Sequence, residues 1–243
     1  MENVGAFNGW FEFSTGETLE FSQDEKRIYA TFTDTPPVID GNLNEWSHGP
    51  ATMYSDSSEQ MVMLMNTERW SGADDLSMAI DMCYDLDNVY FAFEVVDDVF
   101  YQPFEMTEYW KGDSVQLSIG FNINSANGTG FNIALDPDGT SKNYRTAQEN
   151  NIGGFGGESA KMLYTDGEQL VRRSGNKTYY EVKIPWNNID FNPVEISKGM
   201  EIYFAAIAND NDGTGRKGYM EYASGVGTGG NKIPDFYKVY LGK

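Results

Sequence analysis

The sequence predicts an all-β fold, a single β-sandwich (jelly-roll or immunoglobulin-like) of about ten antiparallel strands. Three observations carry that prediction. Apolar residues alternate at Leu76, Met78, Ile80, Met82 and Tyr84, the chain turns at Asp85-Leu86-Asp87-Asn88, and the alternation returns at Val89, Phe91, Phe93 and Val95. This is a hairpin with one buried face. Similar short runs recur along the chain, separated by Gly, Asp and Asn turns, and no helical period lasts beyond a turn or so. At 243 residues and 40% hydrophobic, the chain is long enough for one large β-domain with a substantial core.

Taken in order, residues 1–32 form an N-terminal lead-in expected to pack on the main domain, residues 33–243. Phe11 and Phe13 alternate around Glu12, and Thr18 to Phe21 suggests a second short strand. Pro36-Pro37 sets an extended approach to the Asp40-Gly41 turn, after which Leu43 and Trp46 share one face of a short helical turn. Trp46 reads as a core anchor, and His48, beside Gly49-Pro50, as a surface residue. Met61, Met63 and Met65 suggest a strand over Gln60–Met65, and Trp70 lies in a loop as a secondary platform candidate. Cys83 shares the face of Asp81, opposite Met82 and Tyr84, as a structural thiol. Further strands are predicted at Phe131–Leu135, Tyr179–Trp186, Ile202–Ala208, Lys217–Tyr222 and Phe236–Leu241. A Pro-opened turn is expected at Ile184–Ile189.

Charge and composition exclude several functions. Lys and Arg number 17 against 37 Asp and Glu, for a formal charge of -20. Such a field repels phosphate backbones and anionic membrane surfaces, so no nucleic-acid partner and no membrane insertion are expected. Cys83 is the single cysteine and His48 the single histidine, which removes internal disulfides and His-rich metal sites and disfavours Ser-His-Asp catalysis. No apolar run is long enough to span a bilayer. The segment Met1-Glu2-Asn3-Val4-Gly5 is not a signal peptide, so a secreted form would be mature or part of a longer polypeptide.

One stretch stands apart. In Tyr109-Trp110-Lys111-Gly112-Asp113-Ser114-Val115-Gln116-Leu117-Ser118-Ile119, a Trp in a polar, Gly-containing loop precedes a strand whose odd positions are apolar. That places Trp110 at the rim of a sheet with one wet face. Two readings are open: a platform that meets a ligand, or a cap on the hydrophobic edge of the sandwich. Tyr101, Phe104 and Tyr109 crowd the same loop, as a small core under it or as an extension of the platform.

Six motifs occur in sequence: Pro37-Val38-Ile39-Asp40-Gly41 with Leu43 and Glu45-Trp46; the hairpin Asp85–Val96 ending in Asp97; Trp110 with Asp113-Ser114-Val115; Tyr180-Glu181-Val182-Lys183-Ile184-Pro185-Trp186; Asn209-Asp210; and the closing strand Phe236–Leu241. Over residues 33–243 this series resembles family 9 carbohydrate-binding modules. The resemblance implies a sugar-binding β-sandwich with structural calcium, without catalysis of its own, on a secreted or cell-surface bacterial protein. It implies a multi-domain parent, a monomeric module, and a plant or algal polysaccharide or oligosaccharide as partner. It also implies a pair of Trp side chains around a terminal sugar. Trp110 falls on the first; the second belongs in Gly225–Lys232, which holds no aromatic. A family carboxylate falls on Gln116, and a basic residue near Asn132.

The chemistry of sugar recognition extends that set. Sugar rings present C–H patches to an aromatic face and hydroxyls to planar polar groups. Trp110, Asp113 and Gln116 meet the requirement locally; Asn132, Tyr144 and Arg145 could join from neighbouring segments, and Tyr222 is a further wall. Tyr144, Phe155 or Tyr222 could stand in for the missing Trp. Calcium needs oxygen ligands on tight turns, which Asp210 and Asp212, and Asp136 and Asp138, would supply; both clusters also read as ordinary turns. The alternatives are a structural or adhesion domain with a degenerate sugar site, and a glycan-active enzyme, for which no carboxylate pair is singled out. Haem ligation through His48, a Met or a Lys is disfavoured.

Overall fold

The computed structural model describes residues 8–12, 18–22, 28–46, 53–65, 69–125, 127–137, 139, 141–146, 161–163, 167–189, 194–227 and 230–242. Sixteen strands lie among them: β1 (Asn8–Glu12), β2 (Thr18–Ser22), β3 (Ile28–Phe32), β4 (Met53–Ser55), β5 (Met61–Met63), β6 (Leu76–Tyr84), β7 (Asn88–Asp97), β8 (Ser114–Gly120), β9 (Thr129–Leu135), β10 (Ser141–Thr146), β11 (Lys161–Leu163), β12 (Glu168–Ser174), β13 (Lys177–Pro185), β14 (Glu201–Asp210), β15 (Gly218–Tyr222) and β16 (Tyr237–Leu241). The helical content among the described residues is short 3-10 turns, including Leu43–Glu45, Met106–Lys111, Trp186–Asn188 and Ile233–Asp235.

Strands β1 and β2 pair into a two-stranded sheet of their own. The other fourteen form one sheet in the order β11-β10-β9-β8-β14-β16-β3-β6-β7-β13-β12. Strand β15 extends the edge of β14 beyond β16, β5 adds to β15, and β4 adds to β6. The sheet curls so that its two halves face each other as a sandwich. Between them lie Phe91, Phe93, Val115, Leu117, Phe204, Ala206 and Met220, with the Phe91 and Phe204 rings stacked at 5.1 Å. Alternation in the sequence produces this: each inward residue has an outward neighbour.

The predicted hairpin forms as β6 and β7, with Leu76 opposite Asp97 and Tyr84 opposite Val89. Two features depart from the expected about ten antiparallel strands. The strands are more numerous, and β3 is parallel to both neighbours, β16 and β6. Residues 28–32 of the expected lead-in thus belong to the main sheet. Period-two alternation shows that a segment is a strand but carries no information on the direction of its neighbours. Strand β12 went unpredicted because it is a largely exposed edge, in which Arg172 and Arg173 break the alternation.

Both outer faces carry covers, and these position the site. On the β6–β7–β13 half, Leu43 and Trp46 close over Tyr90 and Ala92, with Ile39, Cys83 and Tyr179 at the margin. Burial, with Asp85 and Asp81 nearby, pushes the Cys83 thiol up to about 12, which leaves it inert. On the β8–β14–β15 half, Ala223, Val226, Ile233 and Phe236 cover Tyr203, Ala205, Ile207 and Tyr219. Tyr109 packs on Ala134 of β9 as a separate small cluster. Trp70, expected as a secondary platform, instead packs against the main core and donates its indole N–H to the Leu76 carbonyl at 2.8 Å. His48 and Phe155 lie outside the described residues.

Candidate functional site

The loop before β8 is built from within. Gln102 is buried and donates from Nε2 to the carbonyls of Tyr109 (3.0 Å) and Asp113 (2.9 Å), while its Oε1 accepts from Phe104 N at 3.1 Å. Gly112 ends the 3-10 turn by donating to the Tyr109 carbonyl at 3.0 Å, and a Cβ there would lie 2.6 Å from Gln102 Oε1. Ser114 Oγ adds a bond to the same Tyr109 carbonyl at 2.8 Å. This framework buries Tyr109 and leaves Trp110 half-buried at the rim. Of the three aromatics crowding the loop, Tyr109 is therefore its core. Tyr101 and Phe104 stay nearer the surface, edge to face at 6.4 Å.

Beneath the rim runs a row of polar side chains on the outer face of β9, β8 and β14. Gln116 donates to Asn132 Oδ1. Gln116 Oε1 accepts from Asn209 Nδ2 at 3.2 Å, and Ser114 Oγ accepts from the same nitrogen at 2.9 Å. Asn209 Oδ1 in turn accepts from Arg216 Nε at 2.9 Å and from one terminal guanidinium nitrogen. Asn132, Gln116 and Asn209 are buried, so the row is a fixed floor. The Arg216 guanidinium lies 4.8 Å from the Tyr219 ring centroid and 5.6 Å from that of Trp110; Lys111 Nζ lies 5.7 Å from the Trp110 centroid. Burial lowers Arg216 to about 10, which keeps it charged at neutral pH.

The predicted residues divide accordingly. Trp110, Gln116 and Asn132 come together. Asp113 sits under the rim rather than on it: its carboxylate accepts from the backbone N–H of Tyr101 and from that of Asn211 (2.8 Å), clipping two loops together. Burial, followed by the nearby Asp97, raises Asp113 to about 9 against the pull of those two N–H groups. Tyr222 is corrected more fully. It faces the main core beside Phe204 and Tyr237, because it shares the parity of Met220 on β15. In β10, Tyr144 is the register partner of Asn132, and Arg145 that of Phe131.

The residues missed by sequence reasoning are Gln102, Asn209, Asn211, Arg216 and Tyr219. Asn211 Nδ2 donates to the Lys111 carbonyl at 2.6 Å, tying the loop that carries Arg216 to the loop that carries Trp110. Tyr219 takes the ring position nearest Arg216 but is buried under the loop after β15. A Cβ at Gly227 would overlap its ring, so Gly227 packs directly on Tyr219. The signal in the sequence was the parity of Gly218–Tyr222, which puts Tyr219 on the outer face once Met220 is placed inside.

Asp210 and Asp212 belong to a larger acidic cluster. Lys217 Nζ lies 2.7 Å from Asp75, 3.0 Å from Asp212 and 3.5 Å from Asp210. Asp97 pairs with Arg173 at 3.2 Å, and carboxylate oxygens of Asp97, Asp98 and Asp212 lie within 4.8 Å of one another. Both oxygens of Asp210, and Oδ1 of Asp212, are buried without a hydrogen-bond partner. Burial raises Asp210 to about 7 and Asp97 to about 6, although Lys217 and Arg173 respectively oppose it. Buried oxygens in acidic surroundings fit a hard cation. Asp136 is buried at the β9–β10 turn and gathers no pair of further carboxylates among the described residues; Asp138 lies outside them.

A β-sandwich that presents a rim tryptophan and an arginine above a row of fixed amides has the build of a non-catalytic carbohydrate-binding module. The chain belongs to the carbohydrate family 9 binding domain-like family, whose model matches residues 39–231. It is similar in fold to a family 9 carbohydrate-binding module from Caldicellulosiruptor kristjanssonii in complex with glucose, at 15% identity and a TM-score of 0.60, over 90% of this chain and 97% of that one. The cellotriose complex of a family 9 module from the same organism gives 16% identity and a TM-score of 0.56, over 89% and 94%. No curated protein matches the chain. No helix among the described residues is long and apolar enough to cross a membrane.

Proposed function

We propose that this module binds a plant or algal polysaccharide or oligosaccharide at the Trp110 rim, with the sugar ring stacked on the indole and its hydroxyls met by Arg216 and the margin of the amide floor. The observation that carries this reading is the coupling of a half-buried indole to a rigid polar row, Asn132–Gln116–Asn209–Arg216, on the same outer face. Pre-organised polar groups beside an aromatic plane meet the two demands of a sugar ring. Asp113 acts by holding the loops. The module works as a monomeric part of a larger secreted or cell-surface protein, where polymeric glycans are met. Trp110→Ala is expected to abolish glycan retention in affinity electrophoresis with the melting temperature nearly unchanged. Retained binding with a large fall in melting temperature would return Trp110 to an edge-capping role.

A calcium ion in the acidic cluster is a second proposal, favoured by Asp210 Oδ1 and Asp212 Oδ1, which are buried without a hydrogen-bond partner. Asp97, Asp98 and Asp212 would hold it. The ion would supply charge neutralisation where Lys217 and Arg173 face five carboxylates, Asp75, Asp97, Asp98, Asp210 and Asp212. It would also brace the loop that carries Arg216.

A further inference from the structure

The cations of this acidic chain are unevenly partnered. Arg173, Lys177, Lys183, Lys217, Lys238 and Lys111 each pair with a carboxylate, while the exposed Arg172 and Lys198 lie over the Tyr179 and Phe32 rings. Arg216, half-buried at the rim, does not: among the described residues its hydrogen bonds run to one neutral oxygen, Asn209 Oδ1. Its other terminal nitrogen makes no bond there. No carboxylate figures among the groups that shift its ionisation; burial dominates, with Tyr219 second. In a chain with 37 acidic residues, a guanidinium without a counter-charge at a ligand-facing rim is an unfilled position. Burying a charge is costly unless it is paired, and a guanidinium fork matches a carboxylate two bonds at a time.

The surrounding charges allow an anion to fill that position. Lys111 lies on the same Trp110 ring, and its own partner is the exposed Glu108 of the 3-10 turn. Asp113 is buried beneath and engaged by two backbone N–H groups. A pyranose laid on Trp110 would carry a ring substituent toward Arg216, whose guanidinium is 5.6 Å from the indole centroid.

We propose that the Trp110 site selects an acidic glycan, one whose uronic acid carboxylate is taken by Arg216 while its ring stacks on the indole. This rests on the sugar-binding reading of the same site and specifies its ligand class. The test is calorimetric titration of the full chain with tetramers of galacturonic, glucuronic and mannuronic acid, each beside its methyl ester, and with cellotriose as a neutral control. Ester and acid share every ring contact and differ in charge. One of the acids is expected to bind about ten- to a hundredfold tighter than its ester, the range of a charge-assisted bidentate contact. That margin should shrink between about 0.05 and 0.5 M NaCl as the charges are screened. Arg216→Gln should bring the acid down to the ester, and Arg216→Lys should keep part of the margin. Acid and ester binding alike, or cellotriose binding while every acid fails, overturns the acidic specificity and leaves a neutral sugar site. Binding of no tetramer and no cellotriose overturns the sugar site itself, and the acidic proposal with it. The acid–ester comparison in the unmutated chain decides the matter even if a variant fails to fold.

Discussion

Trp46 caps one short 3-10 turn and Trp110 lies in another, on the outer faces of the sandwich, one on each half, and they have opposite surroundings. The Trp46 indole is buried over Tyr90 and Ala92, and its N–H goes to Glu181 Oε1 at 2.8 Å. Glu181 Oε2 accepts from Asp40 N at 2.9 Å and from Gly41 N, so one buried carboxylate fastens the whole Asp40–Trp46 turn. Trp110 is half-buried and flanked by Lys111 and Arg216, and the turn beneath it is fastened through Gln102 and Tyr109 instead. In the first region the tryptophan is part of the fastening. In the second the fastening is complete without it, and the ring is engaged by cations, Lys111 and Arg216.

The largest expected effect lies on the Trp46 side. Trp46→Ala removes a buried indole and leaves Glu181 one donor short, and should cost about 3–5 kcal/mol of stability in denaturant unfolding. A loss below about 1 kcal/mol, the range of a surface substitution, would erase the contrast between the two tryptophans.

Next comes the acidic cluster that braces the Trp110 side. If calcium binds there, saturating it at about a hundred times its Kd should add roughly 2.7 kcal/mol, read as a rise in melting temperature that EDTA reverses. The pH dependence has a definite sign. Burial raises Asp210 from 3.8 to about 7, so between those values the folded state holds the extra proton. Its contribution to the stability of the metal-free protein is fully present below 3.8 and is lost as pH rises through 7. Calcium needs the deprotonated carboxylate, so its stabilising effect should be larger near pH 8 than near pH 5. Equal melting temperatures with calcium and with EDTA at both pH values would remove the ion from the cluster.

A smaller effect tests the carboxylate under Trp46 alone. Glu181→Gln keeps the shape but offers one acceptor oxygen where two serve three donors. The expected loss is about 1–3 kcal/mol, with glycan binding unchanged, because Glu181 lies on the opposite half of the sandwich from Trp110. A parallel loss of binding would mean that the two outer faces are coupled through the core.

The contrast between the two tryptophans was partly legible in the sequence. Trp46 follows a Pro-Pro and Asp-Gly turn at helical spacing from Leu43, which marks an apolar face to be buried; Trp110 sits among Lys111, Gly112 and Asp113, which mark a rim. Strands with one wet face, such as β6 and β7, were readable because a period of two leaves little else to form. The parallel insertion of β3 was not, since pairing direction depends on residues far along the chain. The floor was half readable: Gln116 and Asn132 lie on predicted strands, but Gln102, Asn211 and Arg216 lie in loops where polar residues look like solvent-facing ones. Asn209 and Asn211 are held by bonds to Ser114 and Lys111, 95 and 100 residues away, beyond any local pattern. Tyr222 was misplaced because strand parity had not been applied to it.

Trp110→Ala should have the smallest effect on stability and the sharpest effect on function. The side chain is half-buried, and Tyr109, Gln102, Gly112 and Ser114 hold the turn without it, so the stability change should stay within about 1 kcal/mol. Glycan affinity should fall by about 2 kcal/mol or more, roughly thirtyfold, as expected for an aromatic anchor at a binding site. Trp110→Phe keeps a narrower apolar face in the same place and should retain an intermediate affinity. Alanine and phenylalanine variants that bind alike would argue that the ring does not stack on the sugar. In that case the polar floor and Arg216 would carry the binding, and Trp110 would be a second Trp46 with less of its surface buried.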